Sequence, residues 1–300
     1  MGDVHAQLSY DVTIPETLKN YWLITKPGII LGNIITAAGG FFLASKGHID
    51  FKLFVSVIAG LSFVIASGCV FNNILDRETD RAMSRTMARA MARRVISPLY
   101  AVLYALILGI TGVTQLYATT NRICAALVFS GLMIYVAVYS LFLKRRSFYA
   151  VHAGSIAGAI PPVAGYCAVT GHFDSCAWIL FLIFVLWQLP HCYAFAISRF
   201  EDYLAAGIPV APVILGIRAA KRHILVYVIA FLVSALLLTL NGFTGYGYLA
   251  VMSVLGTAWV YIAWAGFNVS DNRRWAKLLF DFSFICITAL SLMMSIDYQI

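Results

Sequence analysis

Nine stretches of predominantly apolar residues recur along the chain and constrain its fold more than any other feature. As a helix, each is long enough to cross the ~30 Å hydrocarbon core of a bilayer at about 1.5 Å per residue. Hydrophobic residues make up 61% of the 300 positions and charged residues only 11%, whereas soluble proteins carry roughly 25% charged residues. The sequence therefore predicts an all-α, polytopic membrane protein. The predicted spans are residues 22–45, 52–74, 98–117, 122–143, 149–170, 175–197, 222–240, 247–268 and 276–296.

The apolar stretches follow one another closely, which predicts one transmembrane domain over residues 21–300. A polar lead at residues 1–20 precedes it and lacks the basic region and short apolar core of a cleaved signal peptide. The six cysteines are scattered without a C-x-x-C pair. They are expected to pack as small apolar side chains rather than to form disulfides or a zinc site.

The basic residues are distributed unevenly between the two ends of the predicted bundle. Eighteen of the 21 lie in the N-terminal lead, at the entrance of the first span, or in the 2–3, 4–5, 6–7 and 8–9 connections; the other three are Lys46, Lys52 and Arg122. The positive-inside rule then places the N-terminus and these four connections in the cytoplasm. The same asymmetry offers a simple interpretation of the basic residues, namely that they only set topology and contact anionic lipid.

Asn72, Asp76 and Asp80 stand where the second span meets a run of arginines. Positions i, i+4 and i+8 share one face of a helix, and magnesium is commonly held by one or two carboxylates together with phosphate oxygens. The arginines recur every fourth residue, so a continuing helix would align them as a basic strip suited to an anionic ligand. The alternative is a set of solvated ion pairs. The strip comprises Arg77, Arg81, Arg85, Arg89 and Arg93.

Lys144 and Arg145 close the fourth span, with Tyr139 about one turn upstream. They could set topology only, or they could contact a phosphate or a propionate. The sequence does not decide between these two roles.

A further polar cluster marks the end of the sixth span and the connection after it. Trp187 and His191 lie within the span, at a depth where polar side chains usually face the bundle interior. The simpler interpretation of His191 is a core histidine bonded to a carbonyl. Asp202 follows the sixth span in a place analogous to that of Asp76 after the second.

Several segments of this chain resemble those of a known family. They are TKPG at 25–28, ASGCVFNNILDRETDRAMSRT at 66–86, ISP at 96–98, YSLFLKRRS at 139–147, GAIPPVAGYCAVTG at 158–171, LWQLPHCYAFAISRFEDYLAAGIPVAPV at 186–213 and ITALSLMMSID at 287–297. Across nearly its whole length the chain resembles the protohaem IX farnesyltransferases, a branch of the intramembrane prenyltransferases. The Asn-Asp-Asp motif is typical of the superfamily, and KR-S, PP-x-x-G-Y and WQ-x-PH are typical of the haem branch.

The resemblance implies a ring of nine helices around a lipid-open central cavity with its polar mouth at the cytoplasmic face. It implies transfer of a farnesyl group from farnesyl diphosphate to the vinyl group of haem B, with addition of water, giving haem O and diphosphate. Further implied partners are the lipid bilayer and a downstream haem A synthase or haem-copper oxidase assembly, without nucleic acid. The implied location is the bacterial cytoplasmic membrane.

The resemblance also implies roles for individual residues. Asn72, Asp76 and Asp80 would hold the diphosphate through Mg²⁺, the only cofactor expected, and Asp202 would be a further metal ligand. The positions that would contact the substrates are Arg85, Arg89, Tyr139, Lys144, Arg145, Trp187, His191 and Asp202, with Trp187 and His191 near the porphyrin.

The chain departs from the family pattern in the 2–3 connection. Ala90 stands where the family usually has proline, and Arg94 where it usually has glycine, which predicts a more helix-prone connection. Two other functions stay open at this point: prenyl transfer to an aromatic quinone precursor, and a carrier of haem or lipid without catalysis.

Overall fold

The computed structural model describes residues 14–299, so residues 1–13 of the predicted lead lie outside the described part. Within 14–299, nine helical segments are long and apolar enough to cross a membrane, which confirms the predicted all-α class. In chain order these spans are Pro27–Ser45, Phe51–Arg81, Pro98–Thr119, Arg122–Leu143, Ala150–Thr170, Ser175–Ser198, Ile217–Leu240, Tyr246–Asn268 and Asn272–Ile296.

The first span begins later than the predicted residue 22. A separate helix at Ile14–Ile24 ends before Lys26, and the span starts at Pro27. The ring of Pro27 disfavours helical backbone in the residue before it, and Lys26 instead adopts a left-handed conformation with φ 54°. This break places Lys26 at the entrance of the first span.

The second span is longer than predicted, with 31 residues from Phe51 to Arg81. Asp50 caps its start, because the carboxylate accepts hydrogen bonds from the backbone N–H groups of Lys52 and Leu53. The span carries the Asn-Asp-Asp motif in its last three turns. Residues 82–94 then form successive turns. The predicted helical strip of five arginines is therefore wrong beyond Arg81, and so is the expectation of a helix-prone connection.

Two spans contain irregular turns. The fourth changes from an α-helix at Arg122–Met133 to a π-helix at Ile134–Leu143, a form of helix often found at functional sites. The fifth span is interrupted at Ala159, which separates a helix at Ala150–Gly158 from a helix at Ile160–Thr170. Pro161 and Pro162 lie in the first turn of the second helix. Backbone N–H groups in a first turn have no partner within the helix, so the prolines that lack them are tolerated there.

The spans pack in sequence, and the ninth contacts the first, which closes the ring. The first span also packs closely against the fifth through small residues: a Cβ built on Gly40 would lie 2.0 Å from the carbonyl oxygen of Pro162, and one on Gly165 would lie 2.1 Å from that of Ala37. Such close approach of backbones is typical of helix pairs in membranes. Spans 2, 4, 6 and 8 all terminate at one end of the bundle, called the basic end below. Short helices at Phe200–Ala205 and Ala211–Ile214 follow the sixth span there.

Candidate functional site

The three motif residues share one buried face at the end of the second span, as their spacing predicts. Asn72, Asp76 and Asp80 are only 3%, 3% and 4% exposed. Buried carboxylates are costly unless they are paired. Their partners therefore define the site.

Each motif residue is held by a cation from a different part of the chain. Lys26 donates to the amide oxygen of Asn72 at 2.5 Å. Lys144, at the end of the fourth span, pairs with Oδ2 of Asp76.

The third pair closes the connection back onto the second span. Nη1 of Arg89 lies 3.1 and 2.9 Å from the two oxygens of Asp80. The Thr86 hydroxyl also donates to the backbone oxygen of Asp80 at 3.0 Å, which satisfies a carbonyl near the helix end. The connection thus turns back because its side chains bond to the end of the helix it leaves.

Lys26 is the site residue that sequence reasoning missed. Its signal is the Lys-Pro pair in TKPG, which breaks the helix and turns this side chain toward the second span. Burial is the main cause that lowers the pKa of Lys26 to about 8, and the positive charges of Lys144 and Arg89 add to the effect. The neighbouring Asn73 secures the entry helix, because its Nδ2 donates to the backbone oxygen of Ile24 at 2.8 Å.

The oxygens of Asp76 fit a hard cation such as magnesium. Its Oδ1 is buried and accepts no hydrogen bond, and Nη2 of Arg145 lies 3.8 Å from it. A buried carboxylate oxygen without a donor is unusual, and carboxylate oxygens are the ligands that magnesium prefers. Within residues 14–299, however, no three acidic, histidine or cysteine side chains converge as a ready metal cluster.

Tyr139, Lys144 and Arg145, near the end of the fourth span, lie beside Asp76. Tyr139 stacks on Tyr135 with ring centroids 5.5 Å apart, and the ammonium of Lys144 lies 5.6 Å from the Tyr139 ring. Arg145 also donates to the backbone oxygen of Leu75. The end of the fourth span is therefore attached to the motif helix by both side chains.

Asp202 contacts the 2–3 connection rather than the motif carboxylates. The hydroxyl of Ser84 donates to its Oδ1 at 3.0 Å, and the guanidinium of Arg85 lies 5.4 Å from the centre of the Phe195 ring. The first contact joins the 2–3 and 6–7 connections, and the second joins the 2–3 connection to the end of the sixth span. Arg94, farther along, has φ 59°, a left-handed backbone at the position where the family usually has glycine.

Trp187 and His191 form a separate aromatic cluster with the ninth span. The His191 ring stacks on Trp187 at 4.8 Å and on Phe280 at 4.4 Å between centroids. Its Nδ1 lies 2.6 Å from the hydroxyl oxygen of Ser283, and Trp187 donates to the backbone oxygen of the same serine. The partner of His191 is thus a hydroxyl, not the carbonyl considered above.

Comparison with known proteins agrees with this architecture. The profile of the UbiA prenyltransferase family matches residues 33–285. The chain is 53% identical over 284 residues, 95% of its length and 96% of the relative's, to the Protoheme IX farnesyltransferase of Pseudomonas savastanoi pv. phaseolicola. It is 52% identical, with the same coverage, to the Protoheme IX farnesyltransferase 2 of Pseudomonas fluorescens (strain Pf0-1).

Solved structures share the fold at low identity. A digeranylgeranylglyceryl phosphate synthase superposes with a TM-score of 0.77 at 19% identity, covering 93% of this chain and 99% of the other. A UbiA homologue from Archaeoglobus fulgidus, solved with GPP and Mg²⁺, superposes with a TM-score of 0.68 at 17% identity, covering 92% and 100%. The matches in sequence and fold show that this chain belongs to the UbiA prenyltransferase family, in its protohaem IX farnesyltransferase branch.

Proposed function

We propose that this protein transfers the farnesyl group of farnesyl diphosphate to a vinyl group of haem B and adds water, giving haem O and diphosphate. The observation that carries the proposal is the buried Asn72–Asp76–Asp80 face, surrounded by basic side chains, in a chain about half identical to protohaem IX farnesyltransferases. Residues 21–300 would act as one catalytic domain.

The diphosphate would bind where the motif face meets the basic residues. Asp76 and Asp80 would hold Mg²⁺, with Asn72 beside them and Asp202 as a further ligand from the 6–7 connection. Arg85, Arg89, Lys144 and Arg145 would neutralise the phosphate oxygens by charge-assisted hydrogen bonds. Magnesium bound there supplies positive charge to the departing diphosphate.

The reaction then follows from charge separation. The allylic C–O bond breaks, and its electron pair leaves with the diphosphate that the basic side chains stabilise. The vinyl group supplies the electrons of the new C–C bond, and water adds to the resulting cation and releases a proton. Tyr139 presents an aromatic ring beside Lys144, one of the cations proposed to bind the diphosphate, where the ring can stabilise positive charge on the allylic carbon.

The aromatic cluster of Trp187 and His191 is proposed to receive the porphyrin. His191 offers Nε2, which makes no hydrogen bond to any residue described, and neutral imidazole is a common ligand of haem iron. The flat stack of Trp187, His191 and Phe280 also provides apolar surface of the kind a porphyrin ring contacts.

The protein is proposed to reside in the bacterial cytoplasmic membrane with its N-terminus and basic end in the cytoplasm. The distribution of 18 basic residues against three supports this orientation. Haem O would leave toward a haem A synthase or haem-copper oxidase assembly through the bilayer.

Incubation of the purified full chain with haem B, farnesyl diphosphate and Mg²⁺, followed by mass spectrometry, tests the proposal. The expected product is the hydroxyethylfarnesyl derivative of haem B, formed together with diphosphate. Unchanged haem B, alongside a prenylated aromatic acid when one is supplied, would show a quinone-type prenyltransferase instead. Unchanged haem B and unchanged aromatic acid would favour a carrier.

A further inference from the structure

The motif carries more cationic partners than carboxylates. Four basic groups, those of Lys26, Arg89, Lys144 and Arg145, face two carboxylates and one amide, at 3.8 Å or less from them. The site is thus positively charged before any metal enters. A divalent cation alone would add charge to a half-buried region where Coulomb repulsion is weakly screened.

The same basic groups occupy the motif oxygens that a metal would need, except Oδ1 of Asp76, which accepts no hydrogen bond. Lys144 holds Oδ2 of Asp76 and Arg89 contacts both oxygens of Asp80, while Lys26 holds the amide oxygen of Asn72. Magnesium requires oxygens at about 2.0–2.1 Å in near-octahedral arrangement. An ammonium or guanidinium within hydrogen-bond distance of the same oxygen atom competes with it.

We infer that Lys26, Lys144 and Arg89 are exchangeable cations that couple metal binding to diphosphate binding: they hold the motif oxygens until a diphosphate arrives to accept them, so the metal binds tightly only together with the diphosphate. Lys26 thereby becomes a diphosphate-contacting residue from the first span. The inference rests on the proposed use of this site for a metal-bound diphosphate.

Geometry allows each of the three cations to exchange partners. Lys26 and Lys144 carry their charge on long, rotatable side chains, and Lys26 follows a helix break rather than lying inside a helix. Arg89 lies in a turn of the 2–3 connection, whose position is set partly by the Arg89–Asp80 contact itself. Phosphate oxygens are strong acceptors for the same groups.

The test measures Mn²⁺ binding to the purified full chain by electron paramagnetic resonance, with and without inorganic pyrophosphate. Wild type should bind Mn²⁺ weakly alone and on the order of tenfold or more tightly with pyrophosphate, a coupling of ordinary size between two ligands. Lys144→Met and Lys26→Met should each bind Mn²⁺ more tightly than wild type in the absence of pyrophosphate, yet bind pyrophosphate more weakly. Loss of a nearby positive charge alone would also change the two affinities in opposite directions, so the result specific to exchange is that the tightening of Mn²⁺ by pyrophosphate becomes smaller in these variants than in wild type.

Two further variants make the result decisive. Lys26→Arg keeps the charge and should retain most of the coupling, which separates loss of a cation from loss of the fold. Lys277→Met removes the lysine of another Lys–Asp pair, 2.6 Å from Asp281 with both side chains more than half exposed, and should change neither affinity. Equal Mn²⁺ affinity with and without pyrophosphate in wild type, or weaker Mn²⁺ binding in Lys144→Met and Lys26→Met, would overturn the inference.

The haem O assay distinguishes this outcome from failure of the proposed function. If wild-type protein makes haem O but shows no coupling, the proposed function stands and the exchange is refuted. If it shows the coupling but makes no haem O, the exchange stands and the prenyl acceptor must be a molecule other than haem B.

Discussion

The hydroxyl of Ser84 donates a 3.0 Å hydrogen bond to the carboxylate of Asp202, a residue 118 positions away. The contact joins the connection after the motif helix to the connection after the sixth span. Both connections carry residues proposed to hold the diphosphate or its metal. Their relative position at the basic end therefore depends in part on one exposed hydrogen bond.

Ser84→Ala should weaken binding of farnesyl diphosphate slightly and leave kcat nearly unchanged. A hydrogen bond of this kind contributes about 0.5–1.5 kcal/mol, so KM should rise by no more than about tenfold. Asp202→Asn should have a larger effect, because it also removes a proposed metal ligand. Steady-state kinetics at varied farnesyl diphosphate compares the two; equal effects would reduce Asp202 to an anchor for the connection.

Asp76→Asn and Asp80→Asn should each lower haem O formation by at least about a hundredfold, a loss typical for removal of a key electrostatic contact. Each substitution keeps the side chain's size but removes the charge that pairs with Lys144 or Arg89 and that is proposed to hold a metal. Product is measured by mass spectrometry at saturating Mg²⁺. Both variants should still insert in the membrane and bind haem; near-normal turnover in either would refute the metal assignment.

His191→Ala should weaken haem binding or shift the absorption spectrum of bound haem, while leaving farnesyl diphosphate affinity almost unchanged. The imidazole is held between Trp187 and Phe280, with its Nδ1 at the Ser283 hydroxyl, so Nε2 is the nitrogen left for a ligand. Haem titration followed by absorption spectroscopy measures the effect. Ser283→Ala is the matched control, because it keeps the imidazole and its stack; identical spectra and affinities for wild type and His191→Ala would make this histidine a packing residue.

Single cysteines at positions 87 and 146 should react with a membrane-impermeant thiol reagent from the cytoplasmic side, and one at 172 only from the other side. Met87 and the side chain of His172 are 57% and 66% exposed, and Arg146 is exposed as well. Thr86 would be a poor choice because it is only 1% exposed. Five of the six native cysteines are buried, so background reaction should be low. Labelling of 87 and 172 from one side would contradict the nine-span topology.

Gly40→Ala should destabilise the bundle by about 1–3 kcal/mol or more, the usual cost of overpacking. The new Cβ would meet the backbone oxygen of Pro162 at 2.0 Å, so the first and fifth spans would have to separate. Gly32→Ala in the same helix is the control, because a Cβ there meets nothing within 4 Å. Thermal unfolding in one detergent compares both with wild type; equal midpoints for the two variants would show that this close approach contributes nothing.

The sequence alone determined the helical class, the nine spans and the shared face of Asn72, Asp76 and Asp80. Hydropathy and helical periodicity are local properties, so they can be evaluated within one segment of chain. Boundaries were less certain where polar residues continue a helix beyond the apolar region, as they do between residue 74 and Arg81.

Only the tertiary structure decided which cation holds which motif residue. Lys26 and Lys144 reach their partners across 46 and 68 positions, and His191 reaches Ser283 across 92. No periodicity within a segment encodes such contacts, because they depend on how separate helices pack. Even the nearby Arg89 was misjudged: its four-residue spacing suggested a continuing helix, whereas its bond to Asp80 turns the chain back on itself.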